Sequence, residues 1–255
     1  MRAKSVYTPP KPLALHKLSQ IDIDGRRVEI RLRSRPRRRT RVMLSYHPDG
    51  ILFIDAPAGT TERALRILIF RSEDWLRREI RKFKNSDHVV YPSSYKTGST
   101  LYLLGMPLKL QVHESSSIAV QQLNGTIRVR APLNSSIQTI VHDWYGDVAN
   151  SILNESIGRI CSNTSLLDSV PHWSHRYMSS RWGSCSSHGT MRLNTHLVKV
   201  PQDAIDMVVL HELCHFKQLN HSKAFYSLMA QHMPDWKQHD NTLKKYHRLL
   251  QEEFV

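Results

Sequence analysis

The sequence predicts an α+β protein. Two successive β-hairpin-plus-helix units are followed by a region with a small sheet and a histidine-bearing helix. The chain repeats itself: Asp49-Gly50-Ile51-Leu52-Phe53-Ile54-Asp55-Ala56-Pro57 resembles Asn124-Gly125-Thr126-Ile127-Arg128-Val129-Arg130-Ala131-Pro132, with Gly50 and Gly125, and Pro57 and Pro132, each 75 positions apart. The last third changes to short strand candidates broken by small residues. Finally, His211-Glu212-Leu213-Cys214-His215, with His221 beyond it, forms an H-E-x-x-H-x5-H pattern.

The elements follow in order. Residues 1–20 are polar, carry Pro9, Pro10 and Pro12, and read as a flexible lead. Residues 21–160 read as a basic, β-rich N-terminal region holding the two units, at about 21–85 and 99–160. In each unit a strand precedes a D-G or N-G turn and an alternating strand follows it, the signature of a hairpin. Thr60/Thr61 and Ser135/Ser136 then supply helix N-caps. The expected helices carry Leu65, Leu68, Ile69, Trp75, Leu76 and Ile80 in one unit. In the other they carry Ile137, Ile140, Val141, Trp144, Tyr145, Val148 and Ile152. Asn85 through Ser94 reads as a loop between them, and Leu101–Leu110 as two further strands joined by a tight turn.

Residues 161–255 read as the catalytic region. Trp173–Met178 is a strand candidate, Ser187-His188-Gly189 a turn and Thr190–Asn194 a returning strand. Pro201 and Asp203 mark the start of the histidine-bearing helix, and Leu219-Asn220 its end, with Asn220 suited to a left-handed stop. A helix beginning at Ala224 and a terminal helix with Leu243, Tyr246, Leu249 and Leu250 close the chain.

Composition narrows the function. The chain has 255 residues, enough for one large or two small domains, and 40% hydrophobic content. No apolar run approaches the roughly 18 residues of a membrane span, and no secretory signal follows Met1. Three scattered cysteines, Cys161, Cys185 and Cys214, make no disulfide framework and fit a reducing, cytoplasmic setting. The net charge is +14, with Arg31, Arg33, Arg35, Arg37, Arg38, Arg39 and Arg41 crowded together and a second group between Arg63 and Lys84. Such a field suits non-specific nucleic acid or another polyanion, and equally a solvated surface.

The histidines carry the chemistry. On a helix, residues at i and i+4 lie about 40° apart, so His211 and His215 face the same way and can clamp a Zn²⁺ ion. His221 can return as a third ligand if the chain turns. Three protein ligands with a fourth position open is a catalytic rather than a structural layout. Glu212, about 100° round from His211, is placed to act as general base on a zinc-activated water. Arg181 and Asn194 are candidates for contacting substrate or the oxyanion. Asp206 or Asp235 could accept the second ring N–H of a ligand histidine. Cys185, with His175 or His188 as base, lacks a third orienting group and is a weak nucleophile candidate. Cys214 reads as core. The remaining histidines, among them His172, His196, His232, His239 and His247, are too dispersed to define another site.

These blocks resemble the YgjP-like family of zinc metallopeptidases, which is related to the SprT-like and WLM zincins. Arg181-Trp182-Gly183-Ser184-Cys185-Ser186 matches an R-W-G-S-C-S block, and Leu193-Asn194 an L-N pair. Asn220-His221-Ser222 with Phe225 matches N-H-S-x-x-F, and Met233-Pro234-Asp235-Trp236 matches M-P-D-W. Met207 and Tyr226 depart from the family's usual aromatic residue and Trp. The resemblance implies a zincin-like catalytic fold, Zn²⁺ held by His211, His215 and His221, Glu212 as catalytic residue and a peptide or protein substrate. It implies nothing about which substrate. Metzincins share the histidine spacing, but Gln218 stands where they carry Gly and no Met-turn is evident. The competing reading is a nucleic-acid- or polyanion-binding protein with a structural or vestigial zinc site. An intermediate reading is a peptidase acting on nucleic-acid-associated proteins.

Overall fold

The computed structural model describes residues 20–35, 42–57, 59–84, 89–186 and 189–252. The chain divides into two compact units, Met1–Asp87 and His88–Val255. The first holds strands β1 (Gln20–Ile23), β2 (Arg26–Arg35), β3 (Met43–His47) and β4 (Ile51–Pro57), then helices α1 (Glu62–Arg71) and α2 (Glu73–Lys84). The second opens with β5 (Thr100–Leu103), β6 (Met106–Glu114), β7 (Ala119–Leu123) and β8 (Thr126–Ala131), followed by the long helix α3 (Ile137–Thr164). The boundary expected at 160/161 therefore lies inside α3, and the sheet ahead of α3 belongs to the same unit as His211-Glu212. The mixed α+β class stands.

Both sheets are built alike. The strand orders are β1-β2-β4-β3 and β5-β6-β8-β7. In each, two antiparallel hairpins are joined through a central parallel pair, β2 with β4 and β6 with β8. Turn residues and alternation predict the second hairpin of the first unit and both hairpins of the second. The β1–β2 hairpin was not expected; its Asp24-Gly25 turn is the counterpart of Leu104-Gly105. Asp24, Gly25, Leu104, Gly105, Asn124 and Gly125 all have positive φ, as the turns that match strand twist require. Thr61 caps α1 and Ser136 caps α3, each accepting a hydrogen bond from the backbone N–H three residues on. The single helix expected in the first unit is broken at Ser72, whose N–H closes α1 onto Leu68 and Ile69 while its carbonyl accepts from Leu76.

Each unit has its own core. In the first, Val28, Ile30, Leu52, Ile54 and Ala56 pack against Leu65, Ile69 and Leu76. In the second, one cluster runs from the sheet (Leu110, Ile127, Val129) through Tyr145, Leu153 and Ile157 of α3 to Ile205, Val209 and Leu213. On α3 the buried positions Tyr145, Ala149, Leu153, Ile157 and Ile160 recur every three or four residues, so one stripe faces the core along the whole helix.

The rest of the second unit completes that core. Strands β9 (His172–Arg176), β10 (Gly183–Cys185) and β11 (Thr190–Asn194) form a three-stranded sheet in the order β10-β11-β9. β10 and β11 are antiparallel, β9 and β11 parallel. The turn expected at Ser187-His188-Gly189 lies partly outside the described residues. A 3-10 helix (Thr195–Lys199) leads into α4 (Gln202–Cys214), then α5 (Lys223–His232), α6 (Trp236–Lys245) and a last 3-10 turn (His247–Gln251).

Two local devices fix the start of α4. The Leu104-Gly105 turn hydrogen-bonds to the 3-10 helix, Leu104 N–H to the Val198 carbonyl at 2.8 Å and Gly105 N–H to that of Lys199 at 3.2 Å. Gly105 is also so close to Pro201, the N-cap of α4, that a Cβ would meet its Cγ at 2.7 Å. Behind them lies a buried polar cluster. Lys199 donates to Glu252 Oε2 at 2.8 Å, His142 lies 3.0 Å from Oε1, and the Tyr95 hydroxyl donates to the same oxygen. Burial alone would raise the Glu252 pKa, but the Lys199 ammonium, the His142 hydrogen bond and the electrostatic effect of nearby His196 outweigh it and hold the carboxyl well below its usual range. This cluster ties the chain's last turn to β5's neighbourhood and α3.

Candidate metal centre

Three imidazoles converge at the end of α4. α4 stops at Cys214, earlier than the Leu219-Asn220 stop expected, and Asn220 has no positive φ. His215 caps the helix with helical backbone angles, so the i, i+4 geometry with His211 survives. The chain then turns through 216–220 and returns His221 to the other two just before Ser222, the N-cap of α5. One ligating atom from each of His211, His215 and His221 lies within 4.8 Å of the others. The Nε2 atoms of His211 and His221 are 3.0 Å apart.

Phe225 is the floor of this trio. It is fully buried, and its ring centroid lies 4.9, 4.7 and 4.9 Å from those of His211, His215 and His221. Beyond His221, Tyr226 stacks on Trp236 at 5.4 Å with 14° between the planes, and this is where the M-P-D-W segment contributes.

The electrostatics favour neutral imidazoles. Burial, reinforced by the two neighbouring rings, pushes His211 down to about 4, and burial lowers His215. The His215 Nδ1–H donates to the Gln218 carbonyl at 3.0 Å, which leaves Nε2 with a free lone pair. The Asp240 carboxylate on α6 acts on His211 in the opposite sense. Neither Asp206 nor Asp235 serves a ligand histidine. Asp206 accepts from Ser156, Arg159 and Gln202, tying α3 to α4. Asp235 pairs with His239 at 3.2 Å.

Glu212 packs against Gly183 of β10. It is 4% exposed, and its Oε2 has no hydrogen-bond partner among the described residues. Burial pushes its pKa up to about 7, with the Arg181 charge acting in the lowering sense. Gly183 makes room for it: a Cβ there would sit 2.5 Å from Glu212 Oε1 and 2.8 Å from its Cγ and Cδ. That explains the glycine of the R-W-G-S-C-S block, a functional role the sequence reading did not assign.

The other candidates separate. Arg181 is exposed, and its charge acts on Glu212. Asn194 is fully buried and its amide is fully used. It donates to the carbonyls of Met178 and Arg181, each at 2.8 Å, and accepts from the N–H of His196 at 3.0 Å and of Met178. Its geometry is that of a bracket for the 178–181 loop, with no donor left for a substrate. The Cys185 thiol is raised by burial and by Glu212, the opposite of an activated nucleophile, and His175 is bonded to Thr195 and Asn150. Burial pushes Cys214 up to about 12.

An H-E-x-x-H helix with a third histidine, built on an α+β unit, defines the metallopeptidase class. The family model described as YgjP-like, metallopeptidase domain, matches residues 40–246. The chain belongs to that family. A search of the curated proteins finds no match. Among solved structures, the metallopeptidase zymogen of Methanocaldococcus jannaschii jannalysin is similar at 21% identity over 36% of this chain and 94% of that chain, with a TM-score of 0.33. Among the described residues no helix is long and apolar enough to cross a membrane.

Proposed function

We propose that this metallopeptidase is zinc-dependent, with His211, His215 and His221 as ligands and Glu212 as general base. The observation that carries the reading is the pairing of a three-imidazole cluster with a buried carboxylate whose Oε2 has no partner among the described residues. The donor set fits zinc: three imidazole nitrogens, one of them oriented by a backbone carbonyl. A zinc ion bound there would polarise a peptide carbonyl and acidify water. Glu212, poised near 7 by its burial, takes the proton of the attacking water and passes it to the leaving amine. Arg181 supplies an exposed positive charge on the Glu212 side, suited to a developing oxyanion.

β10 is an edge strand of its sheet and packs against α4. Its outward backbone groups suit pairing with an extended peptide. A purely structural zinc site has no use for Glu212, which separates this reading from a vestigial one.

The test compares wild type with Glu212→Gln on a proteome-derived peptide library. The amide is nearly isosteric and cannot accept the proton. Loss of roughly 10²- to 10⁴-fold in cleavage, with zinc content unchanged, is expected. Turnover equal to wild type would overturn the mechanism. Cytoplasmic localisation is proposed on the cysteine content alone.

A further inference from the structure

We infer that the outward face of the second unit's β5-β6-β8-β7 sheet binds the phosphate backbone of single-stranded nucleic acid. Strand register puts Arg128 and Arg130 of β8 beside Gln111 and His113 of β6 and, on the other side, Arg128 beside Gln121 of β7. Lys109 continues the row on β6. The core takes the alternate positions, Leu108, Leu110, Ile127 and Val129. Lys109, His113, Gln121, Arg128 and Arg130 are all exposed. His113, Gln121, Arg128 and Arg130 line a shallow cavity of about 360 Å³.

The clustering lacks an internal counter-charge. Among the described residues no ion pair involves Lys109, Arg128 or Arg130, whereas Arg66, Arg77 and Arg159 each pair with a carboxylate. Lys109 bonds only the Thr100 hydroxyl. Two arginines about 7 Å apart on one strand face repel each other, so the arrangement suits an anion from outside. The scaffold does not demand it. At the equivalent positions of the first unit's sheet stand Phe53 and Asp55, 8% and 6% exposed.

The chemistry selects the ligand. Arginine forks match phosphate oxygens in two-pronged bonds, and two glutamines and a histidine add further hydrogen-bonding groups beside them. Three cations on the neighbouring strands β6 and β8, flanked by Gln121 of β7, fit a linear polyanion better than a single small ion. The seven-arginine stretch at 31–41 belongs to the first unit. There Arg31 is already bonded to Glu29 at 2.7 Å, and Arg37, Arg38, Arg39 and Arg41 lie outside the described residues.

The test measures binding of a fluorescent oligothymidylate to the full chain across a salt series. The variants are R128S/R130S, Gln121→Glu, and a control with Arg37, Arg38 and Arg39 changed to Ser. R128S/R130S should weaken low-salt binding about tenfold and flatten the log–log salt slope by roughly 1.4, two contacts at about 0.7 each for single strands. Gln121→Glu should weaken binding in the same sense while leaving the melting temperature unchanged. The inference is overturned if both variants bind like wild type at every salt concentration. It is also overturned if these arginines hold poly-glutamate or phosphatidylserine vesicles but not the oligonucleotide.

Discussion

The two four-stranded sheets share strand order, the parallel pairing at their centre and the position of the following helix cap, yet among the described residues only the second unit gathers a three-histidine cluster. The difference lies in their attachments. In the first unit the Asp24-Gly25 turn is held through side chains: a Cβ on Gly25 would meet nothing within 4 Å, the Gly25 N–H bonds to Asp22, and Asp24 pairs with Arg77 of α2 at 3.3 Å. In the second, the corresponding Leu104-Gly105 turn is pressed onto Pro201 and bonded to the 3-10 helix, so it sets where α4 begins. The first unit's helix breaks at Ser72, whereas α3 runs unbroken for 28 residues and buries its stripe against α4. β4 is buried on both faces, and β8 alternates buried and exposed. One strand order thus serves as a self-contained unit in one place and as the anchor of the histidine-bearing helix in another.

The largest effect that would sharpen this contrast concerns Glu252, which belongs to the second unit alone. Glu252→Gln leaves Lys199 buried without its counter-charge and should cost about 3–5 kcal/mol. The pH dependence follows from two depressed pKa values. Burial, then the Lys199 charge, hold His196 neutral well below its ordinary 6.5, so the unfolded chain takes up that proton first and stability falls as pH drops through 6.5. Glu252 is depressed from 4.5, so its contribution is present above 4.5 and is lost as pH falls below it. Thermal melts from pH 8 to 3 should show both steps in wild type and only the first in Glu252→Gln. An identical acid profile in the two proteins would remove this cluster from the account.

Core substitutions should separate the two units next. Leu76→Ala and Leu153→Ala each remove a fully buried side chain and should cost about 2–5 kcal/mol. Calorimetry with and without zinc should find that added metal raises the transition weakened by Leu153→Ala and leaves the one weakened by Leu76→Ala in place. A metal-dependent shift of both would break the comparison.

The smallest effects test the turns. Gly25→Ala loses only the left-handed backbone preference, about 1–2 kcal/mol. Gly105→Ala adds a contact with Pro201 at 2.7 Å and should destabilise more. Equal losses in denaturant titrations would show that the Gly105 contact with α4 is not under constraint.

The sequence was most legible where chemistry and periodicity coincide. The H-E-x-x-H helix, its third histidine and three of the four hairpins followed from spacing and turn residues. Less legible were features set by approach in three dimensions. Nothing local in Gly183 announces that Glu212 fills the place of its missing side chain, although its position in the R-W-G-S-C-S block was a signal. Asn194 looked like a substrate contact because an amide near a metal motif has that capacity, but its four bonds all go to backbone. The carboxylate whose charge acts on His211 belongs to Asp240, on a helix after the motif, and neither of the aspartates nearer in the reading takes that role. The boundary expected at 160/161 falls within α3, whose buried stripe continues across it to Thr164.

The central claim is that the second unit builds an open zinc site, and X-ray absorption at the zinc edge of the wild-type protein tests it most directly. The account predicts about one zinc per chain with three imidazole nitrogens at about 2.0–2.1 Å and one light oxygen ligand in the fourth position. A closed shell of four protein ligands, with sulfur from Cys185 among them, would contradict it, as would a zinc that binds elsewhere and survives loss of His221.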